Sequence, residues 1–295
     1  MLLSPDQTAL ITGGASGIGL AIARALAARG VRLVLTDIDD EALAAAARAL
    51  SEAGAAVLPL TLDIRDEAAW EATAQAAWAW SGGVQILCNA AGVVFLGAVA
   101  DQPIKLWRLT QAVNLDGPFF GVHTLLPRML ASDDEGRIVN IASLAALWGE
   151  GKLASYSASK FGLLGLSEAL QLELARTRIG VTVVFPGPTR TNLGSSGRRL
   201  AAAEGLMEAG PRGQGAARGM DPDALGRRVA EAIEQDEFYV ITHPEWRPLL
   251  DERHAALRRA FGSSADPNYA ETEAAVDKMA LRLGAALAGG PRPVG

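Results

Sequence analysis

The segment that most limits what this chain can fold into is its first one. An apolar run, Thr8-Ala9-Leu10-Ile11-Thr12, leads into the glycine-rich turn Gly13-Gly14-Ala15-Ser16-Gly17-Ile18-Gly19, then into the alanine-rich stretch Leu20-Ala21-Ile22-Ala23-Arg24-Ala25-Leu26. A short apolar run bounded by turn residues reads as a buried strand, and the stretch after the turn as a helix. Strand, glycine turn and helix, in that order, is the context in which a dinucleotide fingerprint has physical meaning. Gly13 allows the tight turn. Gly17 and Gly19 let backbone and helix approach a pyrophosphate, whose charge is met by unpaired N–H groups at the helix start. The bland alternative is a glycine turn without a ligand.

The rest of the chain repeats this unit. Further strands are expected at Val31–Thr36, Ala56–Thr61, Val84–Cys88, Arg137–Ile141, Val181–Phe185 and Phe238–Thr242, with helices between them at about 41–53, 65–81, 103–131, 155–178 and 222–235. Such alternation predicts an α/β fold: a single-domain, Rossmann-like, doubly wound parallel sheet flanked by helices, spanning 1–243. Residues 244–295 read as a helical C-terminal extension, with helices at 249–261 and 269–288. Ligands of such sheets bind beyond the carboxyl ends of the strands.

The second strand ends at Asp37, about 20 residues past the turn, where a carboxylate accepts hydrogen bonds from ribose hydroxyls and repels a 2′-phosphate. No Lys or Arg follows at Ile38 or lies between Gly13 and Gly19. Both points favour NAD over NADP. The alternative, that Asp37 only caps the next helix, is open to Asp39 and Asp40 as well.

A second signal is Tyr156-Ser157-Ala158-Ser159-Lys160. On a helix, residues four apart share a face. A free phenol titrates near 10, and bringing it to about 7 takes roughly 4 kcal/mol of preferential stabilisation of the phenolate. A nearby ammonium supplies part of that. A Tyr and a Lys at this spacing also arise by chance on solvated helix faces.

Composition removes other classes. A net charge of −6, with no Lys/Arg-rich run, argues against a nucleic-acid groove. The residues His123, His243, His254 and Cys88 form no metal-ligand spacing, and no G-x-S-x-G elbow surrounds Ser143. No apolar run is long enough to span a bilayer, and the N-terminus does not read as a signal peptide. The single Cys88 reads as a buried thiol and fits a reducing, cytoplasmic compartment.

With the glycine turn, Asn89-Ala90-Ala91-Gly92, Asn114, Ser143, Tyr156 with Lys160, and Pro186-Gly187 in order, residues 4 to 243 resemble the short-chain dehydrogenase/reductase family. The resemblance implies reversible hydride transfer between NAD and a secondary alcohol or ketone. Tyr156 would be the acid/base, and Lys160 would lower its pKa and hold the nicotinamide ribose. Ser143 would hold the substrate oxygen, and Asn114 would distort its helix and hold a proton-relay water. It further implies cofactor contacts from Gly13, Ser16, Gly17, Ile18, Gly19, Asp37, Asp63 (to the adenine amino group), Ile64, Asn89, Ala91, Gly92, Pro186, Gly187, Thr189 and Thr191. Ala90 stands where the family more often has Asn, and Thr189 where it has Ile or Val.

Phe95, Leu96, Leu147, Trp148 and Leu153 are expected to form an apolar pocket for a hydrophobic or aromatic substrate. The Gly/Ala/Arg/Ser-rich stretch 192–220 reads as a mobile lid. Arg190, Arg198 and Arg199 read as a solvated face, and Trp70, Trp78 and Trp80 as packing residues. The extension is expected to cover the pocket of its own or a neighbouring subunit. A homodimer or homotetramer would pair through the helices carrying Asn114 and Tyr156, with Leu163, Leu164 and Leu166 outward. Two other readings stay open: a dinucleotide sensor or scaffold without turnover, and an epimerase or dehydratase working through a transient ketone.

Overall fold

A computed structural model describes residues 1–208, 218–261 and 273–288 of the chain. Seven strands form one parallel sheet in the order β3-β2-β1-β4-β5-β6-β7. They are β1 (Thr8–Thr12), β2 (Arg32–Asp37), β3 (Val57–Thr61), β4 (Ile86–Asn89), β5 (Gly136–Ile141), β6 (Ile179–Phe185) and β7 (Tyr239–Ile241). The central strands β1, β4, β5 and β6 are buried along almost their whole length, as apolar runs covered on both faces must be. The helices are α1 (Gly17–Ala27), α2 (Asp40–Glu52), α3 (Glu67–Ser81), α4 (Ile104–Gln111), α5 (Gly117–Ser132), α6 (Ala154–Glu173), α7 (Leu193–Ala203), α8 (Pro222–Glu234), α9 (Arg247–Ala260) and α10 (Glu273–Leu287). One apolar core lies under α1, α2 and α8, around Ile22, Leu43 and Val229. The other lies under α3, α5 and α6, around Trp70, Val122 and Leu170. The doubly wound architecture expected from the alternation is the one observed.

Strand order reverses between β1 and β4, the paired neighbours that open a crevice at their carboxyl ends. The crevice is fastened by Thr12, whose Oγ1 accepts the amides of Ala90 (3.0 Å) and Ala91 (3.2 Å). Gly13 has φ +63°, and a Cβ there would sit 2.8 Å from Ala91 Cα. Gly19 is more restricted still, because its Cβ would meet Gly13 O at 2.2 Å. These two glycines let α1 start directly against the end of β1.

Two expectations are corrected. The helix expected over 103–131 is three pieces: α4, a π-helical turn at Ala112–Asp116, and α5 with Pro118 in its first turn. Asn114 lies inside the π turn, so the expected distortion is present. The stretch 192–220 opens with a helix, α7, which its two glycines conceal; residues 209–217 of that stretch lie outside the described ones. Gly197 lies in close contact with the loop after β4, where a Cβ would sit 3.3 Å from Val93 Cβ.

The extension folds back on its own chain. The Arg253 guanidinium of α9 lies 5.3 Å over the Phe161 ring of α6, and Gln171 of α6 donates to Ala286 O of α10 at 2.8 Å. Leu163 is buried within the chain, and Leu164 and Leu166 pack against the core. Of the leucines assigned to a pairing surface, Leu163 is therefore used internally, and Leu164 and Leu166 are partly covered by the chain itself. The large apolar side chains exposed on the neighbouring helices are Ile104, Trp107, Phe119 and Leu130, on α4 and α5.

Candidate active site

Two adjoining cavities fill the crevice. One, of about 580 Å³, runs from the glycine turn to α7; the other, of about 500 Å³, lies over the carboxyl ends of β5 and β6. Ile18, Ala90, Gly92, Thr191 and Leu193 line both, so the space is continuous.

The first cavity is built by chain ends converging from β1, β2, β3 and β4. Gly13, Ser16, Gly17, Ile18, Gly19, Asp37, Asp63, Ile64, Ala91 and Gly92 all line it. Ser16 stands at the N-cap position of α1 without a side-chain hydrogen bond to the helix, so no capping side chain serves the first-turn amides. Asp37 accepts from Ala15 N (3.1 Å) and Asp39 N (3.1 Å). Burial pushes its pKa up, while those backbone bonds pull against the rise. Asp39, and not Asp37, caps α2, through the Ala42 amide. Asp63 is not a helix cap either, because Asp66 caps α3.

The carboxylate of Asp63 is, however, already occupied: it accepts from Arg65 N and from the Arg65 guanidinium on both oxygens. Burial raises its pKa, but the Arg65 bonds outweigh that and hold it below the usual carboxylate range. An adenine amino group would have to compete with Arg65. Arg65 also reaches Glu204 at the end of α7, and Arg199 of α7 lies 3.5 Å from Asp39. The expected solvated face is thus, for Arg199, a cavity wall. These two ion pairs hold α7 across the Asp37–Asp63 end of the crevice.

Asn89 and Asn114 do not reach the cavity surface. Asn89 donates to Asn140 Oδ1 (2.9 Å), and Asn140 to Ser167 Oγ (2.9 Å), a buried polar ladder linking β4, β5 and α6 beneath the floor. Asn114 is fully buried. Its Oδ1 accepts Val93 N (2.8 Å), and its amide donates to Val93 O (2.9 Å) and Ser159 Oγ (3.1 Å). Both amide hydrogens are committed, so the side chain fixes the loop after β4.

The second cavity holds the chemistry. Ser143, Tyr156, Lys160, Pro186, Gly187, Thr189 and Thr191 line it. Ser143 Oγ accepts the Ala145 amide (3.1 Å) and is hydrogen-bonded to the Tyr156 phenol. With that amide donating to it, the Ser143 hydroxyl hydrogen is left for the phenol oxygen. Tyr156 is 9% exposed and Lys160 4%. Burial raises the phenol pKa, and the Ser143 bond lowers it only in part. Burial also lowers the Lys160 ammonium to about 8. In the protein alone, burial and the Ser143 bond act on the phenol in opposite directions, with Lys160 beside the ring. The Nζ donates to Ile141 O (2.8 Å) and lies 5.7 Å from the Tyr156 ring centroid, and Ser143 is the group that draws the phenol down.

Of the expected apolar wall, Trp148 and Leu153 line this cavity, joined by Val94 and Leu144. Phe95 is instead buried in the core at 4% exposure and Leu96 points out at 77%. Trp70 is a core residue, bonded through Nε1 to Ile64 O at 2.9 Å, whereas Trp80 is partly exposed. Sequence reasoning missed two contributors. Trp246, in the 3-10 turn Pro244–Trp246, lines the second cavity. His243 accepts the Gly187 amide on Nδ1 (3.1 Å) and fills the space a Gly187 Cβ would need. Among the described residues no group of three His, Cys, Asp or Glu is placed to hold a metal ion, and no helix is long and apolar enough to cross a membrane. Cys88 is buried, its thiol pushed up to about 12.

The sequence pattern of the short chain dehydrogenase family matches residues 7–200, and the chain belongs to that family of oxidoreductases. It is 31% identical over 262 residues to the CLA biosynthesis dehydrogenase/reductase of Lactiplantibacillus plantarum, covering 84% of this chain and 92% of that one. Among solved structures it is similar to a short-chain dehydrogenase/reductase from Burkholderia phymatum in complex with NAD. There the TM-score is 0.79 and the identity 29%, over 90% of this chain and 99% of that one. It is also similar to a point variant of the actinorhodin polyketide ketoreductase with NADPH, with TM-score 0.70 and 33% identity, over 81% and 97% of the two chains.

Proposed function

We propose that this protein is an NAD-dependent secondary-alcohol dehydrogenase and ketone reductase with Tyr156 as its acid/base. The observation that carries the reading is the convergence of Ser143, Tyr156 and Lys160 on one cavity wall, continuous with the cleft that begins at Gly13. The residues present fit a nicotinamide dinucleotide. Gly13 and Gly19 pack where a Cβ would strike the chain's own backbone, which brings the start of α1 against the end of β1, and α1 starts without a capping side chain. Asp37 would accept the adenosine ribose hydroxyls. Lys160, buried with one hydrogen bond to Ile141 O, has further N–H groups for the second ribose. Gly187, Thr189 and Thr191 would border the nicotinamide. When bound, that ring takes up or gives the hydride.

The chain's own residues handle the proton and the oxygen. Ser143 holds the carbinol or carbonyl oxygen beside the phenol and stabilises its developing charge. Tyr156 removes the hydroxyl proton in oxidation and returns it in reduction. Lys160 supplies positive charge next to that exchange, and Asn114 positions the loop after β4 on which the cofactor would rest. Retention of all three reactive groups in one wall favours turnover over a binding-only role. We also assign pairing between copies to the exposed apolar residues of α4 and α5.

Two measurements test the reading. Alcohols such as 1-phenylethanol are expected to produce NADH from NAD, with NADP a poorer partner; no absorbance change at 340 nm with any alcohol or ketone on a broad panel would sink the assignment. Asp37→Ser removes a charged acceptor of two hydroxyls, so kcat/KM for NAD should fall by about 10- to 100-fold. NADP use should rise, since the repulsive carboxylate is gone and Arg199 lies nearby. Unchanged cofactor preference would remove Asp37 from the ribose site.

The latch over the cleft makes a smaller prediction. Glu204→Gln weakens the pair with Arg65, a partly exposed contact, and should speed NADH release by about two- to fivefold in stopped-flow fluorescence. A release rate matching wild type would show that α7 does not gate the cleft.

A further inference from the structure

The extension does more than lengthen the chain, because its first turn is a wall of the reactive cavity. The indoles of Trp148 and Trp246 both line that cavity, with ring centroids 6.0 Å apart and planes within 8° of parallel. Trp148 is backed by the apolar core, so it is a fixed surface for the second indole to lie against. Trp246 is 37% exposed, and it lies three residues beyond His243. His243 is tied by its Nδ1 to the Gly187 amide, in the segment that follows β6. The position of Trp246 is therefore set relative to the reacting end of the crevice by two contacts, one on each side.

Resting on the oxidoreductase reading above, the geometry points to Trp246 as a specificity-determining residue that selects substrates bearing a planar aryl ring beside the reacting carbon. Two parallel indoles, one of them backed by the core, present flat, polarisable surface, which an aromatic ring matches by offset or edge-on packing. A saturated ring of the same size buries similar area but cannot make that match. Aromatic pairing beyond area burial is worth about threefold to tenfold in affinity. Leu144 and Leu153 close the remaining apolar side without distinguishing the two kinds of ring.

The test pairs 1-phenylethanol with 1-cyclohexylethanol for turnover, and acetophenone with cyclohexyl methyl ketone for binding. Binding is read by calorimetry on the NADH-loaded Tyr156→Phe protein, where turnover is blocked. The aryl ligand should bind about threefold to tenfold more tightly than its saturated match. Adding Trp246→Leu should bring the ratio to about one, whereas adding Trp246→Phe, which keeps a ring, should retain at least half of it. NADH binding in each variant reports that the cofactor end is intact. Equal affinities in the parent, or a ratio that survives Trp246→Leu, would overturn the assignment. Aryl selectivity in binding without turnover of any alcohol or ketone on the broad panel by the wild-type enzyme would preserve the aromatic wall and refute the proposed dehydrogenase activity. Turnover without selectivity would do the reverse.

Discussion

Tyr156→Phe is expected to lower kcat by about 10²- to 10⁴-fold, the range over which a positioned proton donor contributes. Cofactor affinity should change by less than about threefold, because the substitution removes one oxygen and nearly conserves core volume. The ring stays packed at its buried site, and the Lys160 Nζ keeps its bond to Ile141 O. What is lost is the proton that the substrate oxygen exchanges and the hydrogen bond with Ser143. The direction of the pKa change sharpens the expectation. Burial raises the phenol, so in the free protein it is an acid that needs no activation to protonate a ketone, but must be deprotonated to accept a proton from an alcohol. For oxidation, kcat/KM should therefore climb with pH well into the alkaline range, while reduction should be flat through neutrality. A Phe variant retaining a tenth of wild-type kcat would dismiss Tyr156 as the acid/base.

Much of this site is legible in the sequence because it is local. The turn from Gly13 to Gly19 names itself by spacing, and Tyr156 and Lys160 by four residues of helix. Their meeting is topological: alternation implies the sheet, and the sheet brings the ends of β1, β4, β5 and β6 together. What stays hidden depends on pairs far apart in the chain. Nothing near Arg65 announces Glu204, nothing near Asp39 announces Arg199, and nothing near Trp148 announces Trp246. Asn89 illustrates a subtler limit. Its place in a motif after β4 is correct, but whether its side chain faces ligand or core turns on Asn140, which lies across the strand pair. The helix α7 is concealed for a third reason. Gly194 and Gly197 lower its intrinsic propensity, yet Gly197 packs closely against Val93, far away in the chain.

Lys160→Met separates the demands of catalysis from those of folding. The ammonium is lowered by burial from 10.5 to about 8, so the folded chain binds this proton less tightly than the unfolded chain does. Below about pH 8 both states carry the proton, and the folded state bears the full cost of a buried charge, on the order of 3 kcal/mol. Between about 8 and 10.4 only the unfolded chain is protonated, so stability from this group rises with pH across that window and the cost is gone above it. Methionine has no such titration and fits the same slot without a charge. Removing the Nζ leaves Ile141 O without this donor, a cost of about 1 to 3 kcal/mol that does not vary with pH. The stability difference, wild type minus variant, should therefore move by roughly 3 kcal/mol in favour of wild type between about pH 7 and pH 10, measured by urea unfolding of the cofactor-free proteins. At pH 7, where the wild-type ammonium is charged, the variant should lose about 10²-fold or more in kcat, since no cation then faces the phenol. A pH-independent difference would mean that Lys160 is solvated in the folded protein. Full activity in a variant with the expected stability shift would mean that its charge serves no part of the proton exchange.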